Sequence, residues 1–282
     1  MKNSNPCIPE ESLFITTDTR KDRWAVPYNF DCLNARINTL MTNHGDAIQG
    51  KEILDIASHM GTFSFAALQL GAGCVHGVDA EAKMVEKCLG LFEYYHVRKT
   101  QYAFETGDVF QFLENIPEKS FDTVLCFGML YYTTEPYRLL RLMRRAARDT
   151  ILLDTFTAAY AAIHGKDALM IHPNIKDETM NLPLMLVTQT QTDKKDYRLP
   201  QSFRSGQKNL SLTSFPTGAL LELWFKSLGM GYQRLDWSPY ITRPCHWRNL
   251  YSPQQKRDSH WADIYASGVR VAYRLSVSPE DS

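Results

Sequence analysis

From residue 51 onward the apolar positions alternate between two rhythms. Lys51 to Ile56 is a short apolar run closing with an acid, the pattern of a strand buried in a parallel sheet. Thr62 to Leu70 changes to helical spacing and Gly71 stops it. Cys74 to Asp79 is a second strand with an acid at its end, and Ala80 to about Tyr95 a second helix. Gln101 to Thr106 and Phe121 to Phe127 read as the third and fourth strands. Glu135 to Arg148 reads as a basic amphipathic helix, and Thr150 to Thr155 as a fifth strand. Strands that alternate with helices imply right-handed crossovers, so an α/β doubly wound sheet is expected: seven-stranded, mostly parallel, with helices on both faces.

The flanking regions are less regular. Residues 1–49 hold a polar lead-in and then Leu33, Ile37, Leu40 and Met41 at helical spacing, read as N-terminal lid helices. The core is expected over 50–156. Residues 157–209 lose the rhythm and are read as a cap or substrate-binding insertion. Over 210–282 the core resumes, with a helix near Thr217 to Leu228, strands near Tyr232 to Trp237 and Val269 to Leu275, and a long connection within 237–267.

Composition changes this picture little. The 282 residues carry 31 basic and 31 acidic side chains, a balance that argues against a dominant nucleic-acid partner but not against one local basic patch. Six cysteines without a C-x-x-C pair offer no zinc site, and no metal is expected. No secretory leader and no apolar run of roughly 18 residues is present, so a cytoplasmic protein is expected, with no membrane partner. Oligomeric state is not legible.

The candidate chemistry sits at strand ends, where open α/β sheets bind ligands. Asp55, Asp79 and Asp108 all lie there, and Asp79 follows Asp55 by 24 residues, the spacing of a ribose-binding carboxylate. The segments L-D-I-A-S-H-M-G (54–61), G-V-D-A (77–80), T-G-D-V (106–109) and F-D-T-V-L-C-F-G-M-L-Y (121–131) resemble class I S-adenosylmethionine (SAM)-dependent methyltransferases. The resemblance implies SAM as cofactor, with Asp55, Ala57, Ser58, His59, Met60 and Gly61 around its methionine part. It also implies Asp79 and Ala80 at the ribose, Asp108 and Val109 at the adenine, and Phe127 and Gly128 near the methyl group. Ala57 and His59 stand where the family's loop has glycines. A nicotinamide enzyme is disfavoured, because Ala-Ser-His-Met-Gly is a poor pyrophosphate cradle.

Residues 157–209 and 237–261 are the candidate substrate segments. The second holds three of the five tryptophans. Aromatic faces beside guanidiniums suit a flat or anionic acceptor. Trp24, Tyr28, Tyr132, His172, Tyr240, Arg243, Trp247 and Arg248 are expected to bind substrate. For catalysis a histidine base is considered, His246 first and His164 second, with Tyr131 lining the methyl pocket. The leading expectation is methyl transfer to an oxygen or nitrogen of a small molecule. The stretch Gly128 to Pro136 is also similar to wobble-uridine methyltransferases of bacterial tRNA. With the arginines at 138, 141, 144, 145 and 148, it keeps an RNA-modifying enzyme open as the alternative. A SAM-binding protein without turnover is the third reading.

Overall fold

A computed structural model describes residues 7–17, 30–165, 168–191 and 201–277. After helices α1 (Leu13–Thr16) and α2 (Phe30–Leu40) the alternation begins. It runs β1 (Glu52–Ile56), α3 (Thr62–Gln69), β2 (Cys74–Asp79), α4 (Ala82–Tyr94), β3 (Tyr102–Thr106), α5 (Val109–Asn115), β4 (Phe121–Phe127), α6 (Pro136–Ala146) and β5 (Ala147–Phe156). Helices α7 (Ala158–Ile163) and α8 (Ala168–Asn174) lead to β6 (Met185–Gln191), β7 (Phe203–Ser205) and β8 (Lys208–Pro216). Then come α9 (Gly218–Ser227), β9 (Gly231–Arg234), α10 (Pro253–Arg257), α11 (Asp263–Ala266) and β10 (Arg270–Ser276).

Seven strands form one sheet in the order β3-β2-β1-β4-β5-β10-β9. β1 to β5 are parallel to one another, and β10 runs antiparallel between β5 and β9. The order reverses between β1 and β4, so a crevice opens beyond their carboxyl ends. Apolar side chains cover both faces. One layer gathers residues such as Ile37, Phe65 and Phe92, the other Leu113, Leu140 and Phe225. This two-sided burial explains why the strands read as continuous apolar runs. No helix among the described residues is long and apolar enough to cross a membrane.

Two boundaries differ from the sequence reading. The sixth helix stops at Ala146 and passes into β5 at Ala147, three residues before the expected strand start. Arg148 fastens this junction by donating to the carbonyls of Lys119 and Ser120 and to the carboxylates of Asp122 and Glu52. The β4–β5 ladder is irregular there: Phe121 pairs with Ala147 but Thr123 with Thr150, so β5 carries one extra residue. In the region read as irregular, β6, β8 and β7 make a second, antiparallel sheet. The strand M-L-V-T-Q-T-Q runs three apolar residues into four polar ones, so no apolar alternation marks it in the sequence.

Candidate active site

The loop from β1 to α3 turns on three residues with left-handed backbone: Ala57 (φ 56°), His59 (φ 51°) and Gly61 (φ 76°). A glycine takes this conformation freely, whereas a side chain there costs roughly 1–2 kcal/mol. The turn is held in spite of two substitutions. Ser58 N–H donates to the Val78 carbonyl, Gly61 N–H to the Ser58 carbonyl, and His59 N–H to Asp79 Oδ2 at 2.8 Å. Gly61 has no such latitude, since a Cβ would lie 2.3 Å from Cys88 Sγ. Met60 is fully buried.

The carboxylates take different parts. Asp55 is buried within β1 and accepts from Ser64 Oγ at 2.7 Å. Burial raises its pKa to about 7 against the pull of the Ser64 hydroxyl, with the charge of Asp79 adding to the rise. Asp79, at the end of β2, accepts from the N–H groups of His59 and Glu81, both at 2.8 Å, beside half-buried Ala80. Asp108 caps α5, its Oδ1 accepting from Phe110 and Gln111 N–H, with Val109 buried as the helix's first residue. Its distance along the chain from β3 made it a ligand candidate, and its local work is that of an N-cap.

Beyond β4 lies an arrangement that the sequence reading missed. Asp154, in β5 opposite Phe127, is fully buried between two guanidiniums. Arg270 binds it with two nitrogens at 2.8 Å and Arg36 of α2 with one at 2.7 Å. Tyr265 adds its hydroxyl at 3.4 Å. Burial alone would raise the Asp154 carboxyl, but Arg270 and then Arg36 outweigh it and hold the group below the usual carboxylate range. Arg36 lies over the ring of Phe63, which packs edge-on against Phe127. Arg270 lies over Phe156, and its Nη2 is 3.6 Å from where a Gly128 Cβ would stand. Tyr131 Oη is 3.3 Å from that same point. Phe63, Phe127, Gly128, Tyr131 and the two arginines thus border the crevice at the strand reversal. No local motif announces the cluster, because its members lie 116 and 118 positions apart.

Tyr131 is buried and stacks on Phe215, with half-buried Tyr132 against it. Phe156 stacks on Tyr160, and Tyr160 on the ring of His164, so an aromatic column runs outward from the crevice rim. The ring of His164 keeps an exposed edge. Crowding by its surroundings, and then the Lys256 ammonium, lower its pKa.

The other substrate candidates form a separate group. Arg248 donates to Asp177 Oδ1 at 2.9 Å and to the carbonyls of His172 and Ile175, stapling α8 to the 237–261 segment. His172 stacks on Tyr251 and meets Trp247 edge-on. Trp247 is buried. His246 is half exposed, with Asp177 Oδ2 3.5 Å from its Nε2. Arg243 is bound to Asp263, and Tyr240 packs against Trp237 and Trp261. Trp24 and Tyr28 lie outside the described residues. Of the helix arginines, Arg138 pairs with Glu114 and Glu135, and Arg145 caps carbonyls of Leu113 and Ile116. With Arg148 at the junction already described, these three serve the fold, while Arg141 and Arg144 are exposed.

The strand order, the left-handed turn after β1 and the acid at the end of β2 define a SAM-dependent methyltransferase, and a methyltransferase-domain family model matches residues 48–205. The chain belongs to that family. Among curated proteins it is similar to a tRNA U34 carboxymethyltransferase of Campylobacter hominis, 26% identical over 134 residues that cover 45% of this chain and 42% of that one. It is also similar to the protein of the same name from Campylobacter curvus, 26% identical over 163 residues, 56% of this chain and 47% of that one. The chain therefore spans about half the length of the curated relatives it matches. A SAM-dependent methyltransferase from Mesorhizobium loti shares the fold at TM-score 0.51 and 14% identity, with 88% of this chain and 96% of that one covered. The residues present fit SAM. Ser58 Oγ and Thr62 Oγ1 at the loop are buried and lack a protein partner, and the Asp79 carboxylate lies beside the same loop.

Proposed function

We propose that this protein transfers a one-carbon-linked group from a SAM-type sulfonium to a uridine base of tRNA. The curated relatives, named for that substrate, carry the reading, and it replaces the small-molecule acceptor expected first. SAM supplies an electrophilic carbon on sulfur. Asp79 orients the ribose and fixes the loop through His59 N–H, while Ser58 and Thr62 offer hydroxyls to the cofactor's amino-acid end. Phe63, Phe127 and Tyr131 exclude water from the transfer path, so that catalysis is largely positioning. A uridine acceptor must lose a proton. His164, at the outer end of the aromatic column, is the candidate to take it.

The names of the curated relatives favour a carboxymethyl over a methyl group. The test is nucleoside mass spectrometry of unmodified tRNA after incubation with the protein and either sulfonium donor. A uridine heavier by one methylene or one carboxymethyl group supports the proposal and separates its two forms. Unmodified tRNA alongside a methylated metabolite refutes it.

A further inference from the structure

The antiparallel sheet β6-β8-β7 turns one side to the active site, and its other side is closed by Thr133 at Ser214 but exposed at Val187 and toward the β7–β8 hairpin. Phe215 projects to the inner side and stacks on Tyr131, with Leu186 and Thr213 beside it. On the outer side the pairing sets Phe203 opposite Leu210 and Gln189 opposite Leu212. Lys208 and Val187 share that side, because alternate residues of a strand do. Phe203 is 42% and Val187 49% exposed, and Gln189 and Lys208 are exposed as well.

The charge of this element leans to cations. By sequence, residues 179–221 hold the acids Asp193 and Asp196 against Lys194, Lys195, Arg198, Arg204 and Lys208, and the last two lie on the β7–β8 hairpin. The sheet is also fastened to the crevice. Ser214 Oγ donates to the Thr133 carbonyl at 2.5 Å, and Gln201 Nε2 donates to Thr133 Oγ1 at 3.1 Å, just after the turn that carries Tyr131.

We infer that this outer face is a docking platform for unpaired bases of the RNA substrate. The inference rests on the tRNA reading above and adds the surface that holds the polymer. A base stacks on Phe203, Leu210 and Leu212 supply the apolar floor, and backbone phosphates meet Lys208 and Arg204. An exposed aromatic ring flanked by cations suits a polyanion with stackable faces. Because the same sheet presses Phe215 onto Tyr131, RNA bound outside is held at a fixed offset from the crevice.

The test uses the full chain and an unmodified tRNA transcript, with affinity measured by fluorescence anisotropy across a salt series. Phe203→Ala should weaken binding about tenfold, and Phe203→Trp, which keeps a π face, should restore it. Replacing Arg204 and Lys208 together by alanine should lower the salt slope by about two. SAM affinity, read by calorimetry, should stay unchanged in these variants and so reports that they fold. If the wild type modifies tRNA and Phe203→Ala binds it equally well, the platform is wrong and the proposed function stands. If the wild type neither binds nor modifies tRNA, both fall. If light scattering shows a dimer that Phe203→Ala dissociates, the face is a self-association surface and the inference is overturned.

Discussion

Replacing Asp154 by asparagine tests the buried charge cluster most directly. The substitution keeps size and shape but removes the carboxylate that Arg36 and Arg270, both almost fully buried, share. Removing one partner of a buried ion pair costs about 3–5 kcal/mol, because the orphaned charge keeps its desolvation penalty. At roughly 2–4 °C per kcal/mol for a protein approaching this size, Asp154→Asn should lower Tm by about 6–20 °C. Arg36→Met behaves differently. It removes one charge-assisted hydrogen bond to Asp154, worth about 1.5–3 kcal/mol. Asp154 would still hold the two-nitrogen contact with Arg270. Asp154→Asn should therefore be the more damaging by about 2 kcal/mol, measured by thermal and denaturant unfolding. The pH dependence has a definite sign. The folded-state carboxyl lies below its ordinary value, so the contribution is complete above that value and is lost only as pH falls through the folded pKa. The difference between the variants should hold across neutral pH. If Arg36→Met proves as damaging as Asp154→Asn, the two-nitrogen contact with Arg270 does not hold Asp154 by itself and the reasoning is wrong.

Three other outcomes are expected. Asp79→Ala should weaken SAM binding roughly tenfold to a hundredfold in calorimetry, through loss of charge-assisted contacts worth about 1.5–3 kcal/mol; unchanged affinity in a folded variant would remove Asp79 from the site. Gly61→Ala places a methyl 2.3 Å from Cys88 Sγ at a φ of 76° and should destabilise by about 2 kcal/mol or more, whereas His59→Gly, relieving a left-handed side chain, should be tolerated in the same melting assay. The ligand-free protein should lose stability as pH rises from about 4 to 7, because the raised pKa of Asp55 means that the folded state binds the proton more tightly than the unfolded chain; Asp55→Asn should flatten that slope, and an unaltered slope would assign it to other groups.

Much of the core was readable from the sequence because a parallel sheet buried on both faces leaves a strong periodic trace. Lys51 to Ile56 and Phe121 to Phe127 announced themselves as strands, and Asp55, Asp79 and Asp108 lie at or near the ends of the first three strands. The glycine loop was readable by position even though Ala57 and His59 are not glycines. Its backbone is left-handed all the same, since Asp79 and the Val78 carbonyl hold it. What escaped was information carried by pairing across the chain. Arg36 looked like a polar position on a lid helix, and Arg270 like the entry to a late strand. Only folding brings them to Asp154. The aromatic and basic richness of 237–261 was read as a substrate surface, yet Arg248 and Trp247 are spent on fastening and filling the cap. Composition records which residues are present, not which already have partners.

The extra residue at the start of β5 has a consequence for how length changes are absorbed. Two residues of β4 span three of β5 between Phe121 and Thr123, so removing one of those three would regularise the ladder and leave Thr150 and everything beyond it in register. The same deletion placed after Thr150 has no slack to draw on. Each later side chain would exchange faces, and Asp154 would swing out from between Arg36 and Arg270 into the opposite apolar layer. The outer end of the strand is thus a site where indels can be accommodated, and its inner end is one where parity is fixed by a carboxylate.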